Sequence, residues 1–273
     1  MLKRINPKIS IIMGAYNCEK TLKECIDSIL NQTYNNWEFI ICDDNSTDNT
    51  FKILKEYENL YPDKFKILKN DINKGLAYSL NQCLKYTSGD YIARQDSDDL
   101  SLKNRLERQI EFLLNNEIYD LVGTQMISFD ENQSYGKRGV SDGCVSYKVL
   151  KSGAAFCHAT IMCKKEVYET LNGYRVNKYT LRCEDIDLWF RFFNNKFKGY
   201  NMNEALYMVR DDINAYKRRT IKSYIYLMKV NFEGYKLVNM PFIYYPYLFK
   251  PIVSSIIPRF IMKKYHHYKC KNI

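Results

Sequence analysis

Apolar and polar positions follow two different periods over residues 1–125 of the chain. Short β-rich runs predict strands, and the segments between them carry apolar residues three and four positions apart, which is typical of amphipathic helices. The predicted strands are Ile9–Met13, Glu38–Cys42, Phe65–Lys69, Asp90–Arg94 and Asp120–Thr124, and the predicted helices are Glu19–Gln32, Asn49–Leu60 and Leu102–Asn115. Strands that alternate with helices indicate βαβ units and an α/β fold around a mostly parallel sheet.

The pattern is less regular after residue 125. The polar segment Asp130–Gly143 predicts a surface loop, and Ala205–Val209 predicts a last strand. Between them, His158–Cys163 predicts a strand and Glu184–Phe193 predicts a helix with a strongly apolar face. The order of elements therefore indicates one α/β domain over residues 1–212.

Charge divides the chain more sharply than hydropathy does. The whole chain has 41 basic and 31 acidic residues, a formal charge of +10. Residues 213–273 contain twelve of the basic residues and one acidic residue, Glu233, so residues 1–212 are close to neutral. The apolar stretches Leu237–Phe249 and Pro251–Ile257 are shorter than the ~18 residues of a membrane-spanning helix.

The basic segment 213–273 also holds nine tyrosines, which favours an interfacial tail. We predict that this tail binds the anionic inner face of a membrane and stays apart from the catalytic core. The alternative is a helical extension that packs on the core or on a partner subunit. The nine cysteines are scattered, odd in number and without a C-x-x-C pair, as expected of reduced thiols in a cytoplasmic protein.

Acidic residues follow two predicted strands and begin a predicted helix. Asp43-Asp44 follows Glu38–Cys42, Asp96-Ser97-Asp98-Asp99 follows Asp90–Arg94, and Glu184-Asp185 begins the helix Glu184–Phe193. Acidic residues are also ordinary in turns and at helix N-termini, so each group alone is weak evidence. Three carboxylates within four residues repel one another, however, and a hard divalent cation would relieve that repulsion. The turn 96–99 therefore suits a metal ion that also binds a diphosphate.

The usual nucleotide-binding signatures are absent from the sequence. The first strand is followed by Ala15-Tyr16-Asn17-Cys18 rather than by G-x-G-x-x-G, and no G-x-x-x-x-G-K-[ST] occurs. These absences argue against a dehydrogenase and against a P-loop nucleotidase. The Asn73-Lys74-Gly75 turn offers a cation and a residue without a Cβ, so the backbone there can approach a ligand closely.

Taken in order, these segments resemble the glycosyltransferase family 2 enzymes, which have the GT-A fold. The resemblance covers about residues 7–210 and rests on five segments, namely Ser10–Asn17, Asp43–Asp48, Asn73–Leu76, Gly89–Asp99 and Glu184-Asp185. It implies a Rossmann-like nucleotide-binding sheet with helices on both faces and a basic helical tail. The nucleotide-binding half would cover about residues 1–100 and the acceptor half about residues 101–212.

The resemblance also implies roles for individual residues. Those that would bind the nucleotide sugar are Ala15, Tyr16, Asn17, Glu19, Asp44, Lys74, Gly75 and Asp96. Asp98 and Asp96 would form the D-x-D motif that binds Mn²⁺ or Mg²⁺, with Asp98 the more direct ligand. Asp185 would be the general base that takes the proton of the acceptor hydroxyl. Further contacts to donor or acceptor would come from His158, Glu184 and Arg210.

Two departures from the family pattern bear on mechanism. Members often have a histidine metal ligand after the last core strand, where this chain reads Arg210-Asp211-Asp212. Either aspartate is an alternative ligand, and Arg210 is an alternative that neutralises the diphosphate. The Q-x-x-R-W motif of processive polysaccharide synthases is absent, which favours the addition of a single sugar.

The resemblance implies an inverting transferase that moves one sugar from a nucleotide diphosphate, expected to be UDP, to a glycan or lipid-linked acceptor. We expect a peripheral protein at the inner face of the cell membrane that acts in cell-surface polysaccharide synthesis and does not bind nucleic acid. One alternative is a sugar-phosphate nucleotidyltransferase. The other is a nucleic-acid-binding protein, which the basic, tyrosine-rich tail also suits.

Overall fold

A computed structural model describes residues 6–130, 133–151, 153–210, 220–250 and 252. The strands are β1 (Ile9–Ala15), β2 (Trp37–Asp43), β3 (Phe65–Lys69), β4 (Tyr91–Arg94), β5 (Leu100–Ser101), β6 (Leu121–Phe129), β7 (Ser134–Arg138), β8 (Gly143–Cys144), β9 (Met162–Lys164) and β10 (Gly199–Arg210). The α-helices are α1 (Leu22–Leu30), α2 (Thr50–Leu60), α3 (Leu76–Leu84), α4 (Arg105–Asn115), α5 (Lys165–Leu171), α6 (Glu184–Asn194) and α7 (Ile221–Leu237). Shorter 3₁₀ helices cover Tyr147–Lys151, His158–Thr160 and Phe242–Phe249.

The strands of the described residues form one sheet in the order β3-β2-β1-β4-β9-β6-β10-β5, with β7 beside β6 and β8 beside β10. Strands β3, β2, β1 and β4 are parallel, as the alternation of strands and helices predicts. Strand β9 runs antiparallel to both β4 and β6, and β6 and β10 are again parallel. The second half of the sheet is therefore mixed, while the first half has the predicted βαβ topology.

Helices cover both faces of the sheet, which confirms the predicted layers. In β1, Ile9, Ile11 and Met13 are completely buried in a cluster with residues of α1, α2 and α4. Ile12 lies in the other cluster, with residues of α3, α5, α6 and α7. Because successive side chains of a strand point to opposite faces, a continuous apolar run such as β1 fits a strand that is buried on both sides.

Two local predictions are wrong. The polar segment Asp130–Gly143 contains β7, which pairs with β6 at an edge of the sheet, and Ser134, Gly136 and Arg138 are exposed there. Exposure on an edge strand explains why the segment is polar. In His158–Cys163, a 3₁₀ helix covers His158–Thr160 and the strand begins only at Met162. Helices α3 and α5 were not among the predicted helices.

The basic segment differs from its prediction where the structure describes it. Helix α7 packs on α6 so closely that a Cβ on Gly234 would lie 2.1 Å from Phe190 Cδ2. Tyr235, Met240 and Leu248 are buried in the cluster beneath α6. Residues 220–250 thus form the helical extension packed on the core, because their apolar side chains complete it. Residues 211–219, 251 and 253–273, and with them the predicted boundary after Asp212, lie outside the described residues.

Two further findings concern the described part of the chain. No helix there is long and apolar enough to cross a membrane. All eight of its cysteines, from Cys18 to Cys183, are free thiols.

Candidate active site

The acidic groups after β2 and β4 lie at one edge of the sheet. Strands β2 and β4 both pair with β1 in parallel, so the carboxyl ends of all three strands meet there. The Asp44 amide donates to the carbonyl of Ala15 at 2.8 Å, and the Gln95 amide donates to that of Ile12 at 3.1 Å. Such an edge is where ligands bind in open α/β sheets.

Asp44 fastens the turn before α3. Its buried carboxylate accepts the Lys74 amide on Oδ1 at 2.8 Å and the Gly75 amide on Oδ2 at 2.7 Å. Asn70 Nδ2 also donates to Oδ1 at 2.7 Å. Gly75 has φ +86°, a conformation that L side chains rarely adopt, so the turn favours glycine. The Lys74 side chain is exposed and its ammonium lies 3.2 Å from the Tyr78 hydroxyl.

The loop after β1 is tied to the loop after β2. The Asn17 amide donates to Ser46 Oγ at 3.0 Å, and the Thr47 amide donates to Asn17 Oδ1 at 2.8 Å. Glu19 Oε2 accepts the Asn49 amide at 2.9 Å. Asn17 and Glu19 therefore hold the two loops as one unit, while the ring of Tyr16 is 48% exposed and open to a ligand.

The acidic turn after β4 contains carboxylates in three environments. Asp96 Oδ1 pairs with the buried guanidinium of Arg94 at 2.6 Å. Asp98 is exposed, yet the loss of hydration on its protein side, together with the negative charge of Asp96, raises its pKa. Asp99 is buried and accepts the Arg210 amide at 2.8 Å, and burial raises its pKa well above the ordinary value. The turn therefore concentrates three carboxylates, of which Asp96 is paired with a buried cation.

A buried scaffold holds this turn in place. The fully buried Arg105 donates to Gln95 Oε1 at 3.0 Å and to Ser101 Oγ at 2.8 Å, at the two ends of the turn. It also donates to the carbonyl of Arg94 at 2.7 Å. The Tyr207 hydroxyl accepts the Asp96 amide at 3.0 Å, and the Arg105 guanidinium lies 4.9 Å from the Tyr207 ring centroid. Arg105 and Tyr207 thus position the acidic turn without facing a ligand themselves.

Glu184 and Asp185 open α6, where the helix dipole favours negative charge. Burial and then the charge of Asp185 raise the pKa of Glu184 to about 7, against an ordinary value of 4.5. Burial also raises the pKa of Asp185, although the Ile186 amide and the charge of Arg94 oppose the shift. By contrast, Asp187 in the same helical turn is paired with Arg175 at 3.1 Å and with Arg191 at 2.7 Å.

Arg94 connects the acidic turn with the acidic pair on α6. Its positive charge acts on the pKa of Asp98, Glu184 and Asp185, and the charge of Asp96 acts on the pKa of Asp185. Arg94 is 2% exposed and its Nε has no hydrogen-bond partner. The residues predicted to bind metal and the predicted base therefore lie within electrostatic range of one buried cation.

His158 and Arg210 are held by other protein groups. His158 Nε2 lies 2.8 Å from the hydroxyl of the buried Tyr174, and burial lowers the pKa of His158 well below its ordinary value. Arg210 donates through Nε to the Asp98 carbonyl at 3.1 Å and pairs with Glu24 at 2.6 Å. His158 is therefore a neutral packed histidine, and Arg210 braces the acidic turn from its outer side. Asp211 and Asp212 lie outside the described residues.

The donor atoms near the turn suit a cation that the substrate helps to hold. Among the described residues, no group of three or more His, Cys, Asp or Glu is arranged to bind a metal ion. Asp96 and Asp98 supply two carboxylates, one of them exposed, which matches an Mg²⁺-type site completed by substrate phosphates and water. The residues present fit such a shared site and do not form a complete protein cage.

Sequence reasoning missed Arg94 and Arg105. Arg94 ends a strand whose other residues are largely apolar, and a charged residue in such a strand signals a paired charge within the fold. Arg105 stands at the start of α4, where an arginine is unremarkable in sequence. Only the folded structure reveals that its guanidinium is buried.

The chain matches the family model "Glycosyl transferase family 2" over residues 10–171. It is 47% identical over 268 residues to "Putative glycosyltransferase EpsE" of Bacillus subtilis, covering 97% of this chain and 95% of that protein. It is 40% identical over 155 residues to "UDP-Glc:alpha-D-GlcNAc-diphosphoundecaprenol beta-1,3-glucosyltransferase WfgD" of Escherichia coli, covering 56% of this chain and 59% of that protein.

Solved structures with the same fold agree with this match. Staphylococcus aureus TarS residues 1–349, in complex with UDP-GlcNAc, superposes with a TM-score of 0.66 at 18% identity, covering 85% of this chain and 70% of that one. The mannosyltransferase PcManGT of Pyrobaculum calidifontis, in complex with GDP-Man and Mn²⁺, superposes with a TM-score of 0.64 at 17% identity, covering 92% of this chain and 76% of that one. Sheet, acidic turns and family model agree, and the chain belongs to glycosyl transferase family 2.

Proposed function

We propose that the protein transfers a single sugar, with inversion, from a UDP-sugar to a hydroxyl of a lipid-linked glycan during cell-surface polysaccharide synthesis. The observation that carries the proposal is the grouping of Asp96, Asp98, Glu184 and Asp185 around Arg94. Relatives named for the synthesis of O-antigen and teichuronic acid support the setting, and WfgD, named for a diphosphoundecaprenol acceptor, supports a lipid-linked one.

The nucleotide would bind on the edge formed by β1, β2 and α3. The linked loops at Asn17 and Glu19 and the turn fastened by Asp44 build a rigid wall, against which the exposed ring of Tyr16 can pack on a base. Lys74 projects from that turn and would meet the negative charge of the donor. The complex of TarS with UDP-GlcNAc supports UDP as the nucleotide.

Asp96 and Asp98 would hold Mn²⁺ or Mg²⁺ together with the donor diphosphate. When bound, the metal ion would neutralise the negative charge that develops on the departing UDP. Arg94 keeps Asp96 oriented through its ion pair and adds positive charge on the inner side of the turn. The complex of PcManGT with GDP-Man and Mn²⁺ supports a divalent cation.

Asp185 would act as the general base. The acceptor oxygen attacks the anomeric carbon as the bond from that carbon to the diphosphate oxygen breaks, and Asp185 takes the hydroxyl proton. Burial raises the pKa of Asp185, which favours uptake of a proton, and the positive charge of Arg94 opposes that rise. A single displacement with no covalent enzyme intermediate inverts the anomeric centre.

The test of the proposal is release of UDP from a panel of UDP-sugars with added Mn²⁺, alongside calorimetric titration of UDP. We expect one UDP-sugar to be consumed and Asp98→Asn to weaken the binding of UDP in Mn²⁺, with part of the loss recovered by excess metal. Glu117→Gln, a change on the loop before β6, is the control. A wild-type protein that binds no UDP, or an Asp98→Asn protein that binds it unchanged, would contradict the proposal.

A sugar-phosphate nucleotidyltransferase is the second candidate, since it also combines a nucleotide, a metal and a sugar. It would form pyrophosphate from a nucleoside triphosphate and a sugar phosphate. Pyrophosphate formed in that incubation, with no UDP released from any UDP-sugar, would favour it.

A further inference from the structure

The packed extension ends in a protruding apolar surface. In the 3₁₀ helix Phe242–Phe249, Phe242 is 84% exposed, Ile243 is 77% exposed and Phe249 is 59% exposed, whereas Leu248 of the same helix is 6% exposed. We name Phe242, Ile243 and Phe249 the apolar ridge. Large exposed apolar side chains on one short helix, which the buried Leu248 anchors to the core, mark an interaction surface.

The apolar ridge stands on a fixed base. Tyr235 and Met240 are buried beneath α6, and the Tyr235 hydroxyl donates to the carbonyl of Lys151 at 3.2 Å. The Phe242 ring lies 5.2 Å from that of Tyr245, which lies 5.5 Å from that of Tyr235. The ridge is therefore held in position by the core and does not need to order when a partner binds.

Lysines lie against aromatic rings of the same packed extension, on α7 and on the 3₁₀ helix that carries the apolar ridge. The Lys236 ammonium lies 4.2 Å from the centroid of the Phe232 ring, and that of Lys151 lies 4.1 Å from the centroid of the Tyr244 ring. Lys250 follows Phe249 directly. Over residues 220–250 the chain has four lysines and a single acidic residue, Glu233. The surface thus combines apolar side chains with a net positive rim, which complements an apolar layer bordered by negative charge.

We propose that the apolar ridge and its lysines dock the enzyme on an anionic membrane surface, an inference that rests on the proposed transfer to a lipid-linked acceptor. Phenylalanine and isoleucine enter the boundary between headgroups and acyl chains, while the lysines meet anionic headgroups. A single-stranded nucleic acid fits this surface less well, because its bases stack on aromatic faces. Ile243, which is 77% exposed, has no aromatic face.

Contacts of α7 link the docking surface to the loop before the acidic pair Glu184-Asp185. The Lys229 ammonium of α7 lies 3.6 Å from the centroid of the Tyr179 ring, and Tyr226 packs on that ring at 5.3 Å. Tyr179 lies in the loop that leads into Glu184 and Asp185. Because α7 also packs along α6, an enzyme docked through the ridge would have a fixed orientation of its proposed base relative to the membrane that holds the acceptor.

The experiment is co-sedimentation of the full chain with phosphatidylcholine vesicles, with and without phosphatidylglycerol. We expect binding only with phosphatidylglycerol, and Phe242→Ser with Ile243→Ser should lower the partition coefficient at least about tenfold. Lys236→Gln with Lys250→Gln should lower it by roughly tenfold at low salt and less at high salt. Leu60→Ser with Ile118→Ser, which removes two side chains of similar exposure from α2 and from the loop before β6, should change nothing.

Several outcomes would overturn the docking surface. They are a wild-type protein that does not bind the anionic vesicles, a ridge variant that binds them as wild type does, and an equal loss in the Leu60 and Ile118 control. A dimer that only the ridge variant dissociates would assign the ridge to a second copy, and salt-sensitive retention on single-stranded DNA without vesicle binding would assign it to nucleic acid. UDP titration keeps the two proposals separate. A wild-type protein that binds UDP but not the anionic vesicles refutes the docking surface alone, whereas one that binds the vesicles but no UDP contradicts the proposed transfer alone.

Discussion

Two aspartates that follow parallel strands of the same sheet have opposite surroundings. Asp44, after β2, accepts hydrogen bonds on both carboxylate oxygens from backbone amides of the turn before α3. Asp98, after β4, is exposed, and reduced hydration and the charge of Asp96 raise its pKa. Backbone amides of the fold therefore hydrogen-bond the Asp44 carboxylate, whereas Asp98 is exposed to solvent.

At this edge of the sheet, one kind of carboxylate stabilises the fold, and another kind is available to bind a ligand or a proton. An anion that backbone amides already bind is a structural anchor, and its loss should act first on stability. Anions that repel one another, as in the turn 96–99 and the pair Glu184-Asp185, cost stability until a cation or a proton arrives. Replacing these acidic residues should chiefly change ligand binding, catalysis and the dependence of stability on pH. Four predictions test this separation.

The largest effect is expected for Asp185→Asn. The amide keeps the shape of the side chain but cannot take a proton, so turnover should fall by ~10²–10⁴. UDP affinity should stay near the wild-type value, because the acidic turn 96–99 is intact. A steady-state assay beside UDP titration measures both quantities. If Asp185→Asn turns over normally, the acidic pair is only a helix N-terminus, and if it loses UDP binding, Asp185 belongs to the donor site.

Asp44→Asn should chiefly destabilise the fold. An amide group cannot accept both the Lys74 and the Gly75 N–H, so one buried donor is left facing another donor, at a cost of about 2–3 kcal/mol in the free energy of unfolding. Urea denaturation measures this loss. Asp27→Asn, at an exposed carboxylate that accepts the Tyr57 hydroxyl, is the matched control and should cost less. An unchanged stability with a large loss of UDP affinity would reverse the assignment of Asp44.

Glu184 should make stability depend on pH. Its pKa is about 7 in the folded chain and near 4.5 when unfolded, so the folded state favours the protonated carboxyl. The contribution is full below pH 4.5 and is lost as pH rises through 7. Glu184 is half-buried, so we expect a loss of about 2 kcal/mol over that window. Glu184→Gln should flatten this part of the curve in thermal or urea unfolding, and an equal slope in both proteins would contradict the assignment.

The smallest effect is expected for Gly75→Ala. The backbone at φ +86° is strained for alanine, while the space around a Cβ is open except for Leu181 at 3.9 Å. Strain alone should therefore cost about 1 kcal/mol of unfolding free energy. Gly153→Ala, at an exposed glycine with no atom within 4 Å of an added Cβ, is the control. A cost for Gly75→Ala no larger than that of the control would show that Asp44 does not hold the turn in this conformation.

The sequence by itself determined the first half of the fold and the family. The short β-rich runs at Ile9–Met13 and Phe65–Lys69 alternate with helical segments, and this alternation can be read from the local sequence alone. The acidic motifs were readable for the same reason, since their spacing places them just after strands. The edge strand β7 was missed because a strand with exposed side chains has the composition of a loop.

Only the tertiary structure decided what each acidic group faces and where the last described helix packs. Arg94 and Arg105 lie far in sequence from α6 and from Tyr207, so no local pattern reveals the buried cation between the two acidic sites or the scaffold beneath the turn. Likewise, Gly234 and Phe190 are packed too closely to admit a Cβ, although net charge alone favours a separate tail for that segment. Burial and the energy of a charge depend on groups distant in sequence, and folding alone brings them together.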